Sequence, residues 1–205
     1  MVDNTLRKRG ASSGVPHLFM KTLLVISSGR CVWGDLEEVA PLLGDYDTLG
    51  INHMIQTYPD HLDYAASWHP NILKSLIATR TCQKKLNKPI TYSSLAGDGV
   101  DNVGRFFDGD IESSGMYGAC IGLHLGYDKI ILVGVPFDKT GHFYDPPIGH
   151  ELYKRRHYKD TVFNYSYPSS KSWIDFRDKA DNKVRVVSGN LIECFSELTE
   201  EWLRE

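Results

Sequence analysis

The 205-residue sequence has no long apolar run, no marked excess of charge of one sign and no cysteine pair at Cys-x-x-Cys spacing. Its net charge of −3 gives no electrostatic reason to expect nucleic acid as a partner. No apolar stretch approaches the roughly 20 residues that span a bilayer. Residues 1–19 carry three basic side chains but lack the apolar core of a secretory signal. We therefore expect a cytoplasmic protein without a transmembrane segment.

The four cysteines are widely scattered, and two of them, Cys31 and Cys120, fall in elements predicted to be buried. Neither the spacing of a redox pair nor that of a zinc site is present, so reduced, buried thiols are expected. This expectation agrees with a reducing compartment.

Strand-like and helix-like segments alternate along the chain, without internal repeats or low-complexity tracts. Such alternation predicts an α/β fold that is Rossmann-like, with a mostly parallel central sheet flanked by helices. Residues 1–19 are predicted to be a flexible extension, and residues 20–205 a single nucleotide-binding domain. Ligands of such folds bind at the carboxyl ends of the strands.

The elements follow from apolar periodicity and turn residues. Strands are predicted over 21–27, 46–52, 61–67, 89–92, 130–133 and 184–187, and helices over 35–43, 72–86, 173–180 and 192–204. Residues 97–110 are predicted to be a loop. Residues 136–172 are long, irregular and rich in His and Tyr, which is typical of a functional lid.

Another helix, of about a dozen residues, is predicted after the Ser113-Ser114-Gly115 loop. Either serine can cap it, and Gly126 suits the left-handed position after its end. The N–H groups and positive dipole end of a capped helix attract an anion. Ser113, Ser114 and Gly115 are therefore candidate nucleotide-binding residues, and an ordinary crossover between helix and strand is the alternative.

The segment from Ser113 to Val135 resembles the central motif of glycosyltransferase family 42, the bacterial sialyltransferases, in which Ser/Thr-Ser-Gly-x-Tyr precedes Leu-Gly-Tyr-Lys-x-Ile and a strand. It is similar also to the 6-hydroxymethylpterin diphosphokinase-like proteins of phage and bacteria. Further segments that fit lie at 23–29, 50–52 and 184–192. The resemblance covers most of residues 21 to 195, and only its central motif is specific.

The resemblance implies that Ser28 and Gly29, after the first strand, contact the nucleotide. The family's Gly-Pro-Ser sequence is missing there, and Arg30 is expected to act as a substitute cation. Asn52, at the end of the second strand, carries a donor and an acceptor that can read a base or a ribose. Plain turns at both places are the alternative.

The His/Tyr-rich segment provides the predicted catalytic residues. Residues 137–144 resemble the family's Phe-Tyr-x-x-Gly-x-x-Tyr, which implies that Tyr144 donates to the departing phosphate. His157, followed by Tyr, resembles the histidine that deprotonates the acceptor hydroxyl. His142 and His150 are competing candidates, because any histidine poised near neutral pH suits that task.

Two acidic positions bear on the chemistry. Relatives have an aspartate where this chain has Pro136, so that acid is lost unless Asp138 replaces it. Asp108 and Asp110 have the Asp-x-Asp form that binds a divalent ion in metal-dependent glycosyltransferases. Asp-Gly-Asp is also a common surface turn, and the resembling family requires no metal. No Mg²⁺ or Mn²⁺ is therefore expected there.

These observations predict a nucleotide-sugar-dependent glycosyltransferase that acts on a hydroxyl of a glycan or small-molecule acceptor. One alternative is a metal-dependent diphosphotransferase or another nucleotide-phosphate enzyme. The other is a non-catalytic phage module that binds or sequesters a nucleotide. The sugar, the base, the acceptor and any homo-oligomer stay open.

Overall fold

The computed structural model describes residues 20–138, 140–145 and 171–205. Seven strands form one sheet in the order β5-β4-β3-β2-β1-β6-β7. All six pairings between these strands are parallel. The strands are β1 (Thr22–Ile26), β2 (Asp47–Ile51), β3 (Tyr64–Ser67), β4 (Ile90–Ser93), β5 (Asn102–Val103), β6 (Lys129–Val133) and β7 (Val184–Val186).

The direction in which strands are added reverses at β1. Strands β2 to β5 are laid down on one side of β1, and the chain then returns to place β6 and β7 on the other. In the register, Val25 of β1 lies opposite Leu49 of β2 and Leu132 of β6. A crevice forms at such a reversal, outside the carboxyl ends of the strands. The fold class is therefore as the sequence predicts.

The helices are α1 (Val32–Val39), α2 (Met54–Thr57), α3 (Pro70–Ala78), α4 (Ser114–His124), α5 (Lys171–Ala180), α6 (Ile192–Phe195) and α7 (Glu200–Arg204). They cover both faces of the sheet. On β1, Leu23 and Val25 pack in the cluster that contains α4, α5 and α6, whereas Leu24 and Ile26 pack in the cluster that contains α1 and α7. Because the sheet is covered on both faces, β6 is buried along its whole length, and its sequence is a nearly continuous apolar run.

Helix α4 has the ends that its sequence predicts. The Ser113 Oγ accepts a hydrogen bond from the Met116 N–H at 3.1 Å. At the other end Gly126 has φ 75°. The N–H groups of Gly126 and Tyr127 donate to the carbonyls of Leu123 and Gly122, the two bonds of a Schellman motif.

Several predicted boundaries are wrong. The predicted helix over 192–204 is two short helices, α6 and α7, because Ser196 between them has φ 65°. The predicted loop over 97–110 contains β5, which completes the sheet at its edge. Helix α3 begins earlier than expected, with Pro70 in its first turn, and continues as a π-helical turn over Thr79–Gln83. Helix α1 likewise begins earlier, at Val32.

The predictions for residues 1–19, and for His150 and His157, lie outside the described residues. The domain boundaries stay a prediction. Within the described ranges, no helix combines the length and apolar character that a membrane crossing needs.

Candidate functional site

Three chain segments that follow strands, together with the start of α4, meet at the crevice beyond β1, β2 and β6. Ser28, Gly29 and Arg30 follow β1, Asn52 follows β2, and residues 134–145 follow β6. Most of the predicted site residues therefore lie at one edge of the sheet, where Rossmann-like folds bind ligands.

The described part of the predicted lid is hydrogen-bonded to the loop after β1. The Arg30 N–H donates to the Gly141 carbonyl at 3.0 Å, and the Phe143 N–H donates to the Ser28 carbonyl at 3.0 Å. Gly29 and His142 form an antiparallel bridge between these bonds. The two segments thus form a short antiparallel pair, which fixes residues 141–143 beside the buried Ser28.

Gly29 is required by the close approach of the chain after β6. A Cβ built on Gly29 would lie 2.4 Å from the Pro136 Cδ and 2.6 Å from the Gly134 carbonyl oxygen. No side chain fits in this space, and the Gly29 N–H donates to the Gly134 carbonyl at 2.9 Å. Gly29 therefore brings β1 and β6 together at the crevice, whatever its contact with a ligand.

A buried acid stands at the end of β6 in spite of Pro136, and it comes from α1. The Asp35 Oδ2 accepts hydrogen bonds from the Gly134 N–H at 2.8 Å and from the Cys31 Sγ at 3.3 Å. Asp138 does not replace the lost acid, because its Oδ1 accepts from the N–H and the hydroxyl of Thr140 within a local turn. Sequence reasoning missed Asp35, although it stands four residues before the buried Val39 on the same helix.

The Arg30 side chain reaches the segment after β6. Its Nε donates to the Thr140 carbonyl at 2.9 Å, and its Nη2 donates to the Asp145 carbonyl at 3.2 Å. The guanidinium thus lies beside the segment that carries Tyr144. The predicted role of Arg30 as a phosphate-binding cation stays a prediction.

Asn52 and Ser114, predicted separately, are in contact. Asn52 has φ 50°, and its Nδ2 donates to the Ser114 Oγ at 3.0 Å. The Asn52 Oδ1 is buried and has no hydrogen-bond partner among the described residues. An unsatisfied buried acceptor costs roughly 1–3 kcal/mol. A ligand that donates a hydrogen bond here would remove that cost.

Gly115 lies in the first turn of α4 against the chain that follows β6. A Cβ at this position would be 2.9 Å from both the Cγ1 and the Cγ2 of Val135. The absent side chain therefore serves packing against Val135. The N–H groups of Ser114 and Gly115 have no partner within their own helix by α-helical geometry. Their predicted contact with a nucleotide stays a prediction.

Aromatic side chains from three of these segments contact one another beside the crevice. The Tyr144 ring is stacked on the His142 ring at a centroid distance of 4.9 Å and contacts the His53 ring at 4.4 Å. Next to them, Phe143 meets Trp33 edge to face at 5.9 Å. Tyr144 and Trp33 are more than one third exposed. Sequence reasoning found His142 and Tyr144 but missed His53 and Trp33, because no local pattern links distant segments.

His142 is hydrogen-bonded to a carboxylate that sequence reasoning also missed. Its Nδ1 lies 3.1 Å from the Asp145 Oδ2, and the same oxygen accepts the His142 backbone N–H at 2.8 Å. The Asp145 side chain is only 1% exposed, whereas the His142 side chain is 46% exposed. The only available sequence signal was the i, i+3 spacing of the pair.

The Cys31 thiol beside the crevice is held in its protonated form. Burial raises the pKa of Cys31 to about 12, so the thiol is protonated at neutral pH. None of the four cysteines, all of which lie within the described ranges, is in a disulfide.

Asp108 and Asp110 lie on the segment that leads into α4. They line a groove of about 910 Å³ together with Leu123 and His124, from the far end of α4. The lining thus includes both Asp110, three residues before the Ser113 cap, and the last turn of α4. Within residues 20–138, 140–145 and 171–205, no three His, Cys, Asp or Glu side chains come together as metal ligands. The expectation of no metal at these aspartates stays a prediction.

No protein-family model matches the chain, and no curated protein matches it in sequence. Solved structures do match its fold. The monofunctional alpha-2,3-sialyltransferase Cst-I from Campylobacter jejuni has a TM-score of 0.57 and 12% identity, over 94% of this chain and 85% of that one. A variant of the sialyltransferase CST-II in complex with CMP has a TM-score of 0.55 and 14% identity, over 87% of each chain.

The sialyltransferase CstII from Campylobacter jejuni, in complex with the substrate analogue CMP-3FNeuAc, has a TM-score of 0.52 and 14% identity, over 87% of this chain and 85% of that one. At such low identity these matches show a shared fold. They confirm, for the fold, the resemblance that the central Ser-Ser-Gly helix predicts.

Proposed function

We propose that this protein is a nucleotide-sugar-dependent glycosyltransferase that transfers a sugar from a cytidine-monophosphate-linked donor to a hydroxyl acceptor. The observation that carries the proposal is the buried, unpartnered Asn52 Oδ1 next to Ser114 at the crevice where the strand order reverses. A hydrogen-bond acceptor without a donor, at the edge of the sheet where such folds bind ligands, is expected of a site that binds a nucleoside through hydrogen bonds.

The fold supports cytidine as the nucleoside. Two of the structures that share it were determined with CMP or with CMP-3FNeuAc. A ribose hydroxyl or an exocyclic amine donates the hydrogen bond that the Asn52 Oδ1 lacks. The start of α4, capped by Ser113, presents N–H groups and a positive dipole end to the phosphate.

The segment after β6 supplies the groups proposed for the transfer. Tyr144, held among aromatic rings at the crevice, is the proposed donor to the departing phosphate. The proposed base is a histidine of the same segment: His157 by resemblance, or His142. The acceptor, a homo-oligomer and a cytoplasmic location stay predictions.

Thermal unfolding with added ligand tests the nucleotide. CMP and CMP-3FNeuAc should raise the Tm, because a ligand that binds only the folded state stabilises it, by about 2.7 kcal/mol at 100 times its Kd. AMP and GMP should raise it less. In Asn52→Ala the CMP shift should shrink; the Tm without ligand should fall as well, because alanine is strained at φ 50° and the hydrogen bond to Ser114 is lost. Equal shifts with all nucleotides, or an unchanged CMP shift in Asn52→Ala, would overturn the assignment.

Turnover separates the proposal from its alternatives. Incubation with CMP-sialic acid and a mixed panel of mono- and disaccharides should release CMP and yield a glycosylated product. Persistence of the intact donor over a long incubation, with tight binding, would identify a nucleotide-binding module instead. An activity that is lost on chelation would favour the diphosphotransferase.

A further inference from the structure

We propose that Asp145 and His142 form a catalytic dyad, in which the Asp145 carboxylate orients the His142 ring and Nε2 accepts the proton of the acceptor hydroxyl. The inference rests on the proposed function. It assigns the base to His142 rather than to His157, and it gives Asp145 the role of a positioning residue.

The first support is the geometry of the pair. The ring Nδ1 lies 3.1 Å from a carboxylate oxygen. A carboxylate accepts hydrogen bonds and does not donate them, so Nδ1 carries the proton of the neutral ring and Nε2 is left as the proton acceptor. The hydrogen bond of Nδ1 thereby sets the tautomer that a general base requires.

The second support is the contrast in burial between the two partners. The Asp145 side chain is 1% exposed and the His142 side chain is 46% exposed. A buried carboxylate is costly unless it is hydrogen-bonded. The Asp145 carboxylate accepts hydrogen bonds from the ring Nδ1 and from the backbone N–H of His142. The charge is thus fixed inside the protein, and the ring that it orients lies partly in solvent at the crevice.

The third support is the rigidity of the ring's position. The backbone of His142 is bridged to Gly29, and its ring is stacked on Tyr144 with an interplanar angle of 10°. These contacts place the ring next to the proposed donor to the leaving phosphate.

The acceptor O–H proton moves to the His142 Nε2 while the acceptor oxygen bonds to the anomeric carbon. The bond from that carbon to the phosphate oxygen breaks, and its electron pair leaves with CMP. The ring becomes an imidazolium, and its Nδ1–H stays hydrogen-bonded to the Asp145 carboxylate, whose negative charge stabilises it.

Asp145→Asn is the decisive substitution, because an amide oxygen still accepts both hydrogen bonds but carries no charge. A purely structural role would leave this variant fully active. The dyad predicts that kcat for transfer falls by about 10- to 1000-fold, less than the loss of about 10⁴-fold on the same change in a serine-protease triad. The Kd for CMP should stay within about twofold of wild type. A kcat at the wild-type level would overturn the role of Asp145.

His142→Ala should lower kcat for transfer by about 10²- to 10⁴-fold, the usual contribution of a general base. His61→Ala is the matched control, because His61 is also a half-exposed histidine paired with an aspartate at 3.1 Å, but precedes β3 at the opposite edge. Its kcat should be unchanged. Full transfer by His142→Ala together with loss in His157→Ala would overturn the proposal in favour of His157.

The tautomer gives a readout that needs no turnover. Ring ¹⁵N spectra of the ligand-free protein should show the His142 proton on Nδ1, and a proton on Nε2 would overturn the dyad. If Asp145→Asn fails to fold, His142→Gln gives the kinetic result with the ring removed. If wild type binds CMP but transfers to no acceptor, the proposed function and the role of His142 both fail. The ring spectra still show whether the His142 Nδ1–H is hydrogen-bonded to Asp145.

Discussion

At the scale of single residues, Arg80 shows how one side chain organises the loops on the α2 side of the sheet. It is completely buried in the π-helical turn after α3. Its guanidinium donates to the carbonyls of Ile55, Tyr58 and Asp60, and to the carbonyl and Oδ1 of Asn87. Burial lowers its pKa, but the guanidinium stays charged, and its positive charge strengthens its hydrogen bonds to the surrounding carbonyl oxygens.

Replacement of Arg80 should be strongly destabilising. Arg80→Met keeps much of the side-chain volume but removes the donor to the buried carbonyls of Ile55 and Tyr58, each worth roughly 1–3 kcal/mol. We expect the free energy of unfolding to fall by about 3 kcal/mol or more in urea titrations. Arg177→Met, at an exposed position, should stay within about 0.5 kcal/mol of wild type. A mild effect of Arg80→Met would contradict the role given to its hydrogen bonds.

Local sequence patterns predicted those features of the fold that residues close together in the sequence determine. The serine cap and the glycine end of α4 follow from side-chain and backbone hydrogen bonds within a few positions. Asp35 and His53 were missed because their roles depend on the packing of distant segments. The Cα of Asp35, for example, is placed by α1, whereas its partner Gly134 follows β6.

At the scale of elements, α4 packs closely on the sheet because glycines face the strands. A Cβ on Gly118 would lie 2.6 Å from the Val25 Cγ1 and 2.9 Å from the Ile51 Cδ1. On Gly122 it would lie 2.9 Å from Leu23 and Ile130 side-chain atoms. The helix can therefore approach β1, β2 and β6, which fixes its capped end at the crevice.

Gly118→Ala should destabilise the protein even though alanine favours helices. The added methyl overpacks the face toward the sheet, which typically costs about 1–3 kcal/mol, against a helical gain of about 1 kcal/mol. Gly34→Ala in α1 is the matched control, because nothing lies within 4 Å of its Cβ position. We expect Gly34→Ala to raise the Tm and Gly118→Ala to lower it. Two shifts of the same sign would contradict the packing argument.

The division of the C-terminal helix was missed, although Thr199 followed by Glu200 and Glu201 is a signal for the start of a helix. Apolar periodicity continues across residues 192–204, but the chain leaves the helix at Ser196, which has a positive φ, and stays extended as far as Thr199. That conformation is uncommon for serine, so local preference argued against a break there. The carbonyl of Val186, on β7, accepts the Leu198 N–H at 3.1 Å, which ties the chain after the break to the sheet.

At the scale of the whole molecule, the burial of titratable groups lowers the stability of the protein at alkaline pH. Burial raises the pKa of Cys31 and of Cys120 from 9.0 to about 12, and it also raises the pKa of Tyr117 and Tyr127. Above pH 9 the unfolded chain loses these thiol protons while the folded protein keeps them. The unfolded state then binds fewer protons, so stability falls as the pH rises.

Urea titrations at pH 7, 9 and 10.5 measure this dependence. Each thiol should contribute about 2 kcal/mol of lost stability by pH 10.5. Cys120→Ala should be less stable at pH 7 but should lose less between pH 9 and pH 10.5. A free energy of unfolding that is constant or rises over this range would show that the thiols titrate normally in the folded protein.

The central claim is that the crevice beyond β1, β2 and β6 binds the nucleotide of a nucleotide sugar. A crystal structure of the protein with CMP tests it most directly. We expect CMP at this crevice, with a donor group of its base or ribose within about 3.2 Å of the Asn52 Oδ1 and its phosphate near the start of α4. CMP bound in the groove beside Asp108 and Asp110, or elsewhere away from Asn52, would contradict the account.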